Sequence, residues 1–376
     1  MMVNCSSRTP MTHPEMEPAI WSRLPEELLE RILAFLPFRT FLNLRSTCKR
    51  FNSLLFSPSF ISLHSSSLAV GHRTQTHPPF SSFLLLSHPQ FYHQVILYNS
   101  FQGHWRSLTL PSSHATSHLL STSNGLLCFS LPNSSAFLVR NLLSRSSRLI
   151  EFPTYPFSFN SVSLISLPSK GYKILVLSTG SSSNSTFVYD SNSNSWSRFE
   201  GFDQILSENS HQEGVFCNGH LYFTTPEPFS IVGFELETGK WARPTEAELP
   251  EELTFVRLVK SGEGKLYMIG GIGSYGISKR VKLWELVEGR DWVEVERLPE
   301  MMCRKFTSVC YHNYEHVYCF WHDGMVCICC YTWPEILYYK VSRRTWHWLP
   351  RSPYLPEKWS CGFRWFSFVP DIYTLV

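Results

Sequence analysis

Residues 266–299 read L-Y-M-I-G-G-I-G-S-Y-G-I-S-K-R-V-K-L-W-E-L-V-E-G-R-D-W-V-E-V-E-R-L-P. An apolar run ends in glycines, a second run alternates polar and β-branched residues, and after a short polar turn a last strand opens with Trp292 and runs to Pro299. That last strand recurs along the chain: H-W-R-S-L-T-L-P at 104, S-R-L-I-E-F-P at 147, S-W-S-R-F at 195, K-W-A-R-P at 240 and T-W-H-W-L-P at 345. With Trp105, Leu149, Trp196, Trp241, Trp292 and Trp346 as equivalents, the intervals are 44, 47, 45, 51 and 54 residues. Such a period fits four strands per propeller blade, so residues 81–376 are expected to form an all-β propeller of six blades, with seven as the alternative count.

The first unit offers only three strands, near Phe83–Ser87, Gln94–Asn99 and Trp105–Leu110. An apolar stretch without a blade of its own, C-G-F-R-W-F-S-F at 361–368, remains at the other end. It is expected to supply the innermost strand of the first blade. Closing the ring in this way removes the sheet edges that an open propeller would expose.

Upstream of the repeats the pattern is helical. Pro25 suits a first helical turn, Glu26 and Glu27 suit the positive end of the helix dipole, and Leu28, Leu29, Ile32, Leu33 and Leu36 recur at helical spacing until Pro37. Thr40 opens a second helix with Phe41, Leu42 and Leu44, and Cys48 to Phe56 reads as a third, with Phe51, Leu54 and Leu55 inward. Some forty residues cannot bury all these apolar side chains among themselves, so part of the stripe is expected to face a partner. The fold class is thus α+β and multidomain, read as a disordered tail at 1–18, a helical module at 19–62, a linker at 63–80 and the propeller.

Composition sets the outer bounds. A chain of 376 residues with 43% hydrophobic and 17% charged side chains is folded over most of its length, and a net charge of +3 is too small to imply nucleic-acid binding. Residues 61–170 are the most lopsided block, with six basic side chains and one acidic. Neither a signal peptide nor an 18-residue apolar span is read, so the chain is expected inside the cell, in nucleus or cytoplasm, with reduced thiols and no membrane contact.

Both halves resemble one architecture, an amino-terminal F-box followed by a kelch-type propeller, common in plants. The resemblance covers about residues 21–370. It rests on the L-P-x-E-L-L-x-x-I-L-x-x-L-P opening, on the L-R-x-x-C-K-R-F-N-S-L-L ending with Phe51 where many relatives have Trp, and on the glycine pair, Tyr275 and Trp292 of the repeat quoted above. It implies docking onto a Skp-type adaptor of a cullin-RING ubiquitin ligase through Leu24, Pro25, Leu28, Ile32, Leu33, Leu36, Pro37, Leu42, Leu44, Cys48 and Phe51.

Other motifs do not survive their context. G-I-G-S-Y-G at 271–276 has dinucleotide-loop spacing, but a β-branched alternating run follows it where a helix should begin. Cys303, Cys310, Cys319, Cys327, Cys329, Cys330 and Cys361 cluster near His312, His316 and His322, yet only Cys327 and Cys330 have a zinc-type gap. Alternation in Y-C-F-W and V-C-I-C-C predicts thiols packed in strands as small apolar side chains, at Cys319, Cys327, Cys329 and Cys330. No catalytic residue, metal or cofactor is assigned. Target recognition is expected on loops joining second to third strands, at 88–93, 132–135, 178–185, 225–230, 270–280 and 322–334, with Tyr275, Lys279, Arg280, His322 and Trp333 as candidate contacts. The expected function is substrate recognition for a Skp-cullin-F-box ubiquitin ligase, the alternative being a non-degradative cofactor or scaffold that binds a transcription factor.

Overall fold

The computed structural model describes residues 19, 23–36, 38–54, 56–71, 82–91, 94–109, 117–167, 171–179, 184–200, 206, 211–243, 248–250, 252–355 and 360–376. The chain divides into two compact units, Met1–Pro79 and Phe80–Val376.

In the first unit, α1 (Glu26–Ala34) starts after Pro25, whose carbonyl accepts from the Leu28 and Leu29 amides at 3.1 Å. Two further short helices follow, α2 (Phe38–Leu44) and α3 (Lys49–Leu54). A fourth, α4 (Pro58–Gly71), carries helical structure into the stretch read as linker. Pro58 fits its first turn, and the Ser57 hydroxyl accepts from the Phe60 amide at 3.4 Å as a cap. Leu29, Leu33, Ala34, Phe41, Leu54 and Phe60 form the core. Phe41 and Phe60 meet with ring centroids 4.8 Å apart. His64 is buried beside them and bonds the Leu36 carbonyl at 3.0 Å; burial lowers its pKa, which that hydrogen bond opposes.

The second unit is a propeller of six four-stranded antiparallel blades. In blade 1 the carboxy-terminal β24 (Arg364–Phe368) pairs with β1 (Phe83–Ser87), Phe83 opposite Phe368 and Ser87 opposite Arg364, and β2 (Gln94–Asn99) and β3 (His104–Thr109) follow outward. The ring closes as the sequence suggests, and the count is six rather than seven. The other blades are consecutive: β4–β7 (118–151), β8–β11 (161–200), β12–β15 (215–242), β16–β19 (253–297) and β20–β23 (317–348). Inner hairpins turn on Asn124-Gly125, Asn218-Gly219 and Asp323-Gly324, all at positive φ, the geometry that suits a tight hairpin to the twist of its strands. On that same face the carboxy-terminal tail is tied to blade 2, where the buried Asn141 side chain donates to the carbonyls of Asp371 at 2.7 Å and Thr374 at 3.0 Å.

The recurrent Trp has a defined task. It lies across from the residue seven positions earlier and wedges with it between its own blade and the preceding one: Tyr98 with Trp105, Tyr189 with Trp196, Phe234 with Trp241 and Tyr339 with Trp346, ring centroids 4.9–5.4 Å apart. In blade 5 the pair is Leu286 with Trp292. In blade 2 the register puts Ser147 opposite Arg140 at this point. Leu149 is therefore not the Trp equivalent. It sits two residues further on and is half exposed.

Candidate functional site

Helix α1 has two apolar faces. Leu29 and Leu33 point into the core, while Leu28 (46% exposed), Ile32 (41%) and Phe35 (74%), spaced by four and three residues, lie along the outside. Three adjacent large apolar side chains are a stripe left uncovered among the described residues, and fully covering each is worth roughly 1.5–3 kcal/mol. Of the other sequence-derived adaptor residues, Pro25 and Cys48 are exposed and Leu24, Leu36, Leu42, Leu44 and Phe51 are partly buried. Leu33 is a core residue at 4% exposure, and Pro37 lies outside the described residues. The Cys48 sulfur accepts from the Phe51 amide at 3.4 Å, at the start of α3. Phe35 was missed by the sequence reading. Its spacing from Leu28 and Ile32 is the signal that marks it.

The propeller face that carries the second-to-third-strand turns and the inter-blade links holds most of the remaining candidates. Tyr275 is 99% exposed at the tip of the two-residue turn between β17 (Leu266–Ser274) and β18 (Ile277–Val287), and Lys279 and Arg280 are exposed on β18. The stretch 270–280 is thus a projecting hairpin and not a long loop. The 322–334 stretch is not a loop either, because β21 (Met325–Cys330) occupies its middle and places His322 and Trp333 at opposite ends of blade 6. Trp333 is partly buried at the start of β22 (Trp333–Lys340). His322 is wholly buried, its Nε2 at 2.5 Å from the Ser100 hydroxyl and its Nδ1 at 2.9 Å from that of Ser367, and burial drives its pKa down to about 3. It is a structural tie and is withdrawn as a contact residue.

Exposed Tyr155, Tyr311 and Tyr354, together with Met301 on the helix α5 (Glu300–Val309), all belong to inter-blade links and so share the face of Tyr275. The sequence could not single them out, since links carry no periodicity. Six of the seven clustered thiols are core: Cys303, Cys310, Cys319, Cys327, Cys329 and Cys330 are buried, and burial pushes Cys310 and Cys319 up to about 12, while Cys361 is exposed.

The centre of the ring mixes polar with apolar side chains. A cavity of about 220 Å³ is lined by Thr122, Gln212, Glu213, Lys260, Tyr318 and Arg364 among others. Glu213 accepts from the Ser121 hydroxyl at 2.5 Å and pairs with Arg364 at 3.5 Å; burial raises its pKa while Arg364 and that hydrogen bond oppose the rise. Gln212 bridges inner strands, donating to the carbonyls of Leu258 and Cys319 and accepting from the Cys319 amide. Arg257 is buried on carbonyls of Val256, Tyr314 and Val317, and burial lowers its pKa to about 10. These contacts stitch separate blades together around the axis. None of them belongs to a sequence motif.

A helical module with an open apolar stripe, joined to a closed six-bladed ring with an aromatic face, defines an F-box protein carrying a β-propeller. Residues 21–63 match the F-box domain and residues 97–317 the KIB1-4 beta-propeller. The F-box/kelch-repeat protein At5g43190 of Arabidopsis thaliana is 53% identical over 381 residues, 98% of this chain and 91% of that protein. Protein ABERRANT PANICLE ORGANIZATION 1 of Oryza sativa subsp. japonica is 26% identical over 402 residues, 96% of this chain and 90% of its own length. Protein UNUSUAL FLORAL ORGANS of Arabidopsis thaliana is 24% identical over 369 residues, covering 90% and 80%. The chain belongs to the plant F-box/kelch-repeat family.

Proposed function

We propose that this protein is the substrate-recognition subunit of a Skp-cullin-F-box ubiquitin ligase. The Leu28, Ile32 and Phe35 stripe carries the reading: it is apolar and outward on a helix whose opposite face already packs the core. Laid into an adaptor groove, these side chains are the anchors of a helix-in-groove interface, with Pro25 and Cys48 beside them. The propeller face bearing Tyr275, Lys279, Arg280 and the link tyrosines holds the target. Another subunit brings the activated ubiquitin. The contribution of this chain to rate is proximity, since one assembly holding both reactants makes attack by a target lysine effectively intramolecular.

The test is recovery of a Skp-type adaptor and a cullin with the full-length chain, compared with a Leu28→Ala, Ile32→Ala, Phe35→Ala variant. Wild type recovers both and the variant loses at least ten-fold in adaptor, while its circular dichroism and thermal midpoint stay unchanged because the altered side chains lie outside the core. Equal recovery from both proteins, or none from either, rejects the reading.

A further inference from the structure

Five of the six seams between blades are closed by the Trp and its partner seven or six residues upstream. The seam between blades 1 and 2 is not. There Arg140 stands where the others have Tyr, Phe or Leu, and Ser147 where they have Trp. A cavity of about 370 Å³ lies in this seam, with Arg140 in its lining and apolar walls such as Leu85, Leu97, Phe129 and Leu138, within the size range of ligand pockets. Its charged and titratable lining groups are Arg106, which also donates to the Gln102 side chain at 3.2 Å, Arg140, His118 and His88, which is buried against the Ser360 carbonyl, and among the described residues no acidic side chain lines it. The surrounding sequence matches this bias, with six basic residues against one acidic in 61–170. Leu108 (50% exposed) and Leu142 (39%) are its apolar lips.

We infer that the cleft between blades 1 and 2 binds an aromatic side chain flanked by carboxylates on a partner polypeptide. Cleft and ligand are complementary on two counts. An aromatic group supplies the volume that Trp provides in each of the other seams, where ring pairs gain from burial and offset contact. A neighbouring carboxylate pairs with Arg106 or Arg140, whose planar guanidinium groups donate to it in a fork geometry. The inference rests on the reading of the propeller as the partner-binding half. It is independent of whether the F-box holds an adaptor.

The test is calorimetric titration of the full-length chain with the peptide acetyl-Asp-Glu-Trp-Glu-Asp-amide, with its Asn/Gln counterpart, and with N-acetyltryptophan. The acidic peptide binds, at least ten-fold more tightly than the neutral one. Ser147→Trp, which restores the plug of the other seams, abolishes binding and raises the thermal midpoint. Leu142→Glu, placed at the exposed lip in case the plug disturbs packing, weakens the acidic peptide at least five-fold more than it weakens the neutral one. Arg106→Gln with Arg140→Gln removes the preference for the acidic peptide. No binding of either peptide, equal affinity for both, or full affinity in Ser147→Trp overturns the inference. So does binding of N-acetyltryptophan alone, which assigns the cleft to small molecules, or peptide binding only after 110–116 is replaced by a Gly/Ser linker, which assigns it to the chain's own link. Adaptor recovery is measured separately, so a failed F-box reading leaves the peptide result standing.

Discussion

Two adjacent leucines show what a residue's position in a helix can decide. Leu28 and Leu29 are the same residue type one step apart, and one faces solvent while the other is core. Periodicity marks both as part of an apolar band, but a band this wide does not say which edge turns inward. His322 is the sharper case. The Asp323-Gly324 pair that follows it is a hairpin signal, and given that weight it would have put His322 at the end of a strand. With its pKa near 3 when folded and about 6.5 when unfolded, His322 binds fewer protons in the native state between those values. Its neutral burial is fully tolerated above pH 6.5, and stability is lost as pH falls through 6.5 towards 3. At pH 5 the loss from this group is roughly 2 kcal/mol. Urea midpoints from pH 7.5 to 5 are expected to fall for wild type, with a shallower slope for His322→Asn, which cannot titrate.

Strand period and ring closure were legible at the level of elements because both rest on repetition and on the need to hide edges. The leftover run at 361–368 could only pair with an incomplete blade, and β24 does so. Trp365 shows how firmly: it is 2% exposed, its ring centroid lies 5.6 Å from that of Trp105, and it donates to the Pro334 carbonyl at 3.2 Å. Trp365→Ala is expected to cost about 3–5 kcal/mol, read as a lower urea midpoint with the ring still closed by backbone pairing. The tail beyond β24 is held by Asn141, so Asn141→Ala leaves the buried Thr374 carbonyl and the half-buried Asp371 carbonyl without this donor and costs about 1–3 kcal/mol. Its midpoint drops while the fluorescence of the distant blade 5 Trp292 is unchanged. Blade 2 was also where the alignment slipped by two residues, because it lacks the Trp that marks every other outer strand. Helix α4 was missed for a related reason: its run of serines hides the helical period that its cap and Pro58 announce.

Across the whole molecule, the proposed adaptor and target surfaces lie on different units. The outward stripe of α1 belongs to one, and the turns and links bearing Tyr275, Met301 and Tyr311 belong to the other. In the ring, the first strand of each blade runs away from that face and its hairpin turns on the opposite one, where the chain arrives at β1 and ends after β24. Mutations at independent sites behave additively, so the proposed reading predicts that the two surfaces can be separated by mutation. A Tyr275→Ala, Met301→Ala, Tyr311→Ala variant should keep wild-type adaptor recovery and thermal midpoint and lose the proteins enriched with wild type by proximity labelling. The Leu28, Ile32 and Phe35 variant should do the reverse, retaining those proteins and losing the adaptor. If the face variant loses the adaptor as well, the two surfaces do not act independently, and a receptor with separable adaptor and target surfaces is ruled out.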